Sequence, residues 1–246
     1  GVRSAGEGSQ VSLTQLEDER QLSLEAVSNN RPLTIELDHG REKWTQYYLT
    51  PLELGLIREL EGECQVGRLG DLAHVDVGIV TGQNAFFVLR PNDADWHGIR
   101  QWCAKLVGRS TQIPGIILDS DEWIRLEAAD EKCLLLQLGS FDRSDLPERA
   151  RAYVESGEAR NYHEGYKCRI RLPRWWKVPS AWAPDAFLLR QIHDAPRIIE
   201  NRAGVTCTDT IHRIKLRPGV SSNWLAAASL NSLTLAFSEI RGRSYG

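Results

Sequence analysis

Val75, Val77 and Ile79 alternate with polar or small residues, and the run 85–89 that follows is dense in strand formers. Between them lie Thr81, Gly82, Gln83 and Asn84. Glycine supplies a positive φ there and asparagine tolerates one. The stretch 75–89 therefore predicts a β-hairpin. Upstream, Thr50, Pro51 and Glu53 predict a helix start with a capping box, continued by the apolar stripe Leu52, Leu56, Ile57 and Leu60. Helical spacing recurs at Ile99, Trp102, Cys103, Leu106 and Val107. Residues 144–157 predict another helix, with Ser144 as cap and Gly157 as stop. Residues 223–240 predict a last one, ending in Arg241 and Arg243, which suit the C-terminal dipole. Short strands are expected at 113–119, 122–126 and 133–138, and the segments 166–179, 196–201 and 205–216 read as extended.

Strands and helices intermix without strict alternation. The expected fold is α+β, with a mixed, largely antiparallel sheet and peripheral helices, rather than a doubly wound one. Residues 1–40 are polar and weakly patterned. They read as a connector or the tail of something upstream, ahead of the patterned remainder of the chain.

Composition changes this picture little. The chain has 246 residues, 41% hydrophobic and 26% charged, an ordinary globular mixture. No apolar run approaches the ~20 residues of a membrane helix, and no secretion signal is present. The chain opens GVRSAGEGSQ and contains no Met, which predicts a processed or excised segment. Its five cysteines are scattered, without a Cys-x-x-Cys pair. That pattern predicts reduced intracellular thiols and a cytoplasmic protein.

Charge changes more. The net charge is −3, yet residues 149–217 carry 14 Lys/Arg against 7 Asp/Glu. One basic window in an acidic chain is a footprint for a polyanion held by one face. Its centre is the tract YKCRIRLPRWWKVP, residues 166–179. If the tract is extended, Arg169 and Arg171 share one face while Cys168, Ile170 and Leu172 point into a core. Arg174 and Lys177 prolong the positive row. The planar arginine fork suits phosphates and guanine edges, and the same row also fits a solvated strand face. Trp175 and Trp176 are expected in the core. Further on, Asn201 to Gly204 predict a turn. Thr208, Thr210 and His212 share a face if their strand is regular. Hydroxyl and imidazole groups contact phosphates or base edges, although ordinary local bonding is the simpler account of these residues alone. His212 has no nearby Cys or second His, which argues against a metal.

Asp119, Asp121 and Glu122 precede Asp130-Glu131-Lys132, a loose match to the (Asp/Glu)-x-Lys pattern of metal-dependent nucleases. Solvated turn charges account for so short a match. Residues 6–11 lack the preceding strand of a Gly-rich phosphate loop. No Asp/Asn-Pro-Pro-Tyr/Phe tetrapeptide and no Asp/Glu-x-Gly-x-Gly loop occur. On chemistry alone the segment reads as non-catalytic, with no cofactor or metal of its own.

Three stretches, 75–89, 166–216 and 229–246, taken in this order, resemble the C-terminal target-recognition region of bacterial, gamma-order, adenine-specific DNA methyltransferases of restriction–modification systems. The resemblance spans roughly residues 41–246. It implies that the whole enzyme moves a methyl group from S-adenosylmethionine to an adenine amino group, with the target base flipped out of double-stranded DNA. The catalytic tetrapeptide and cofactor loop would lie in an upstream methyltransferase domain, and the cut at GRSYG predicts more chain, or disorder, beyond Gly246. The matched stretches imply a DNA-facing role for Thr81, Gly82, Gln83 and Asn84, for Arg169, Arg171, Arg174 and Lys177, and for Asn201, Thr208, Thr210 and His212. The amides of Gln83 and Asn84 suit adenine's edge. Such a protein is expected in the cytoplasm, near the nucleoid. Two other readings stay open: a non-catalytic protein-interaction module that works through the acidic first 148 residues, and a metal-dependent nuclease.

Overall fold

The structure is a computed structural model that describes residues 9–13, 33–37, 42–63, 66–179, 181–192 and 195–242. The chain divides into two units, one of residues 1–67 with 232–246 and one of residues 68–231.

In the first unit, β1 (Ser9–Leu13) and β2 (Leu33–Leu37) pair antiparallel, with Ser9 opposite Leu37. No strand was expected there. Helix α1 (Pro51–Gly62) begins with the predicted capping box. The Thr50 hydroxyl accepts from the Glu53 amide at 3.3 Å, and the Glu53 carboxylate accepts from the Thr50 amide at 2.7 Å. Two of the four backbone donors a helix start leaves orphaned are thereby satisfied. The buried face is that of Leu54 and Ile57, whereas Leu52 and Leu56 of the expected stripe are exposed.

The second unit begins with the single turn α2 (Leu69–Leu72) and strand β3 (Ala73–Val77). Then follow α3 (Asn84–Phe87), β4 (Val88–Leu89), α4 (Pro91–Trp96), β5 (Cys103–Val107), β6 (Ile117–Leu118), α5 (Ser120–Ala128), β7 (Leu134–Leu136), α6 (Glu148–Ala159) and α7 (Tyr166–Arg169). Strands β8 (Ala186–Leu189), β9 (Ile198–Asn201), β10 (Thr206–Cys207) and β11 (Ile211–Leu216) lead to α8 (Ser222–Ala228). Helix α9 (Ser232–Arg241) returns to the first unit, where Thr45 donates to the Ile240 carbonyl at 2.7 Å and Arg241 pairs with Glu61.

In the second unit the described strands form two open sheets, ordered β3-β11-β8-β9-β6 and β10-β5-β7-β4. Among the described strands only the β6–β9 and β5–β10 pairs are parallel. The fold is therefore α+β and largely antiparallel, as expected, with two sheets instead of one. Side-chain alternation sorts the layers. Phe187, Leu189, Ile199 and Ile211 point into the large core, which the four-stranded sheet also fills. Ala186, Ile198 and Ile214 point the other way, against Leu225 and Ala226 of α8.

Several expected elements differ. The hairpin does not form, because β3 pairs with β11 and β4 joins β7 in the other sheet. Between them Phe86 and Phe87 both donate backbone bonds to the Gln83 carbonyl, which winds the chain into α3. Residues 122–126 are helical because Asp119 caps α5, accepting from the Glu122 amide at 2.9 Å. No α-helix forms across 99–107, because α4 stops at Trp96. Gly98 has a φ of 65°, and 103–107 becomes a strand that buries Leu106 and Val107. The last expected helix breaks at Ser229–Asn231 into α8 and α9. Arg243 lies outside the described residues.

Helix α6 starts after Pro147 without a side-chain cap, Ser144 lies outside it, and Gly157 lies inside it. The reason is a close approach. A Cβ at Gly157 would sit 2.7 Å from Phe86 Cε2 and 2.8 Å from Trp175 Cη2. Gly157→Ala is therefore expected to destabilise by about 1–3 kcal/mol through overpacking. Gly55→Ala, where a Cβ meets nothing within 4 Å, is expected to be neutral or stabilising by up to about 1 kcal/mol. Urea denaturation of the two variants checks both signs.

Candidate nucleic-acid interface

The predicted turn group begins where β3 ends. The Gly78 amide donates to the Ile211 carbonyl at 3.1 Å, and the Ile79 amide to the Cys207 carbonyl at 2.8 Å. A Cβ on Gly78 would lie 2.0 Å from the Thr208 carbonyl oxygen, so only glycine fits this crossing. Thr81 is buried. Its hydroxyl donates to Asn84 Oδ1 at 2.5 Å and accepts from the Gln83 amide at 3.1 Å. Gly82 adopts a φ of 80°, and a Cβ there would meet the Lys167 Cβ at 2.4 Å. Residues 81–84 are thus a turn, as the sequence implied, but one that feeds a helical turn. Among the described residues the Gln83 side-chain amide has no hydrogen-bond partner, while the Asn84 side-chain oxygen is taken by Thr81.

Residues 166–177 are not a strand. Backbone bonds from Cys168 and Arg169 to Gly165, Ile170 to Tyr166, Arg171 to Cys168 and Leu172 to Arg169 wind them into α7 and a run of tight turns. The face assignment changes with the winding. Cys168 is buried as expected, but Ile170 and Leu172 are 60% and 55% exposed, and Arg171 is half-buried. Arg171 points inward and acts as a clasp. Its Nη2 donates to the Thr81 carbonyl at 2.7 Å and the Val80 carbonyl at 3.2 Å, and its Nη1 to the Lys177 carbonyl at 3.1 Å. Burial pulls its pKa down from the usual arginine range, yet an arginine stays charged. Arg169 and Lys177 are exposed and carry no ion pair among the described residues, while Arg174 lies 3.4 Å from Asp142.

Trp175 and Trp176 are in the core, as expected. Trp175 Nε1 donates to Glu158 at 3.0 Å, and Glu158 also accepts both Arg143 nitrogens, at 2.6 and 2.7 Å. These bonds, Arg143's first, hold the Glu158 carboxyl below the usual carboxylate range.

The third group is only partly brought here. Thr208 bridges Ile79, so it borders the loop, but its hydroxyl donates to the Gly108 carbonyl at 3.0 Å, as does that of Thr210 at 2.8 Å. Asp209 and Thr210 form a turn that breaks the strand. The shared face expected for Thr208, Thr210 and His212 is lost with it: Thr208 is buried, Thr210 exposed and His212 half-buried. Burial, with help from Arg190, lowers the His212 pKa, so the ring is neutral at neutral pH. The Asn201 amide holds the Pro184 and Val205 carbonyls, at 2.7 and 2.9 Å. That is the work of a turn.

Lys167, whose Cβ lies against Gly82, belongs to the same cluster and was not singled out in the sequence. Its place in a basic tract was visible, but its partner lay 85 positions away. Two of the acidic residues have folding roles: Asp119 caps α5, and Asp130 accepts from the Asn92 amide at 2.9 Å. The four described cysteines are free thiols. Burial pushes Cys103 and Cys207 up to about 12 and Cys133 to about 11, so none of these three is a thiolate nucleophile at neutral pH.

Removing the clasp is expected to matter. Arg171→Ala leaves carbonyls without donors and should cost about 1–3 kcal/mol. The readout is faster hydrogen exchange of the 81–84 amides, which Gln83→Ala should leave unchanged. Glu158 predicts an acid dependence. Its folded pKa is depressed, so its contribution is complete above the ordinary carboxylate value of about 4.3 and is lost as pH falls through the lower folded value. In thermal melts from about pH 7 to about pH 3, Glu158→Gln should flatten the acid fall relative to the parent chain.

Residues 41–246 match the model of one protein family, described as the C-terminal domain of the Type II methyltransferase M.Eco57I. No curated protein matches the chain.

Proposed function

The chain belongs to the family of the M.Eco57I C-terminal domain, and from that premise we propose that it recognises a target sequence in double-stranded DNA. The observation that carries this reading is the clasp. It sets the 81–84 turn beside the tract 166–177, which holds five Lys/Arg and no Asp/Glu. With Arg171 turned inward, Lys167, Arg169 and Lys177 present positive charge around the turn, and Gln83 offers an amide. Phosphate contacts would set the register and the amide would read a base edge. Arg171 and Thr208 support this surface rather than touch DNA, and the polar groups of Asn201 and Thr210 are spent on backbone carbonyls elsewhere in the fold.

In this reading residues 1–40 connect to an upstream domain that binds S-adenosylmethionine and methylates adenine. This segment supplies neither the cofactor site nor the catalytic groups. The complete enzyme would act in the bacterial cytoplasm, at the nucleoid, within a restriction–modification system.

Fluorescence anisotropy of labelled duplexes at two salt concentrations tests the proposal. Binding should weaken as salt rises, because neutralised phosphates release counterions. Arg169→Ala and Lys177→Ala should each weaken binding to all sequences alike and reduce the salt slope by about 1. Absence of binding to every duplex at low salt would overturn the reading.

A further inference from the structure

The tract 166–177 exposes more than charge. Ile170 and Leu172 are 60% and 55% exposed, and Tyr166 is 64% exposed. A solvated basic loop has no use for two aliphatic side chains at its tip. They also stand on a firm base. Arg171, between them in sequence, is fastened to three carbonyls, and Cys168, Trp175 and Trp176 beneath are fully buried. Cations flank the tip: Lys167, whose Nζ lies 5.6 Å from the Tyr166 ring centre, and the exposed Arg169 and Lys177. No acidic residue interrupts residues 165–178. The partner that matches a rigid apolar tip ringed by positive charge is a polyanion with an apolar interior within reach. A base stack between two phosphate rails has that chemistry.

We propose that Ile170 and Leu172 form a wedge that enters the base stack of bound duplex DNA while Lys167 and Arg169 hold the flanking phosphates. This rests on the target-recognition reading above and goes beyond it. Part of the sequence preference would then come from how easily a base step unstacks, and not only from base-edge hydrogen bonds.

The test uses the 246-residue chain and a set of duplexes that carry 2-aminopurine in every dinucleotide context, titrated at low salt. Fluorescence is expected to rise at one or more steps as the chain binds. Ile170→Ser with Leu172→Ser should abolish that rise while retaining salt-sensitive binding and the parent melting temperature, because both side chains are exposed. Each single variant should lose part of the rise. A parent chain that binds duplex with no rise at any step overturns the wedge and leaves target recognition standing. So does a double variant that binds and keeps the full rise. A parent chain that binds no duplex removes both readings. Binding to phosphatidylglycerol vesicles that depends on Ile170 and Leu172, without unstacking of any duplex, would assign the tip to a lipid surface instead.

Discussion

One guanidinium joins the two segments on which the account depends. Arg171 donates to the carbonyls of Val80 and Thr81, about ninety positions earlier in the chain, and to that of Lys177 six positions later. Such charge-assisted bonds exceed neutral ones, and a half-buried site strengthens them further. The clasp turns the 81–84 turn and the 166–177 tract into a single body. It also settles which cations are available. Arg171 is spent on the fold and Arg174 leans on Asp142, so Lys167, Arg169 and Lys177 remain to face a partner.

The clasp has a floor. Phe86 lies 4.7 Å from the Tyr153 ring and 4.6 Å from that of Trp175, and Gly157 lets α6 close onto both Phe86 and Trp175. The Tyr153 hydroxyl donates to the Phe86 carbonyl at 2.9 Å, and Glu158 holds Trp175. Each aromatic pair adds about 0.5–1.5 kcal/mol beyond area burial. The cluster thus anchors both segments, Phe86 after the turn and Trp175 inside the tract. A surface that reads DNA benefits from such support, since its side chains must be held in place before the partner arrives.

Much of this was legible in the sequence, and the illegible part has a common cause. The α+β class, the Thr50–Glu53 box, the strands at 198–216 and the burial of Trp175 and Trp176 follow from local pattern. The basic tract was visible as charge. What failed was pairing and winding. Strand β3 finds β11 and not its sequence neighbour. The alternation in 166–172 belongs to tight turns, which inverts the roles assigned to Arg171, Ile170 and Leu172. A period-2 pattern cannot reveal that an arginine will reach carbonyls ninety residues away. Gly157 misled for a similar reason: its meaning is a contact with Phe86 and Trp175, not a helix stop.

If residues 81–84 and 166–177 form one surface that meets DNA, duplex binding shields both segments at once. Hydrogen exchange of the chain with and without duplex at low salt measures this directly. Added protection is expected in both segments together, with the amides of α4 and α5 unchanged. Protection confined to other elements, with these two segments unaltered, would contradict it.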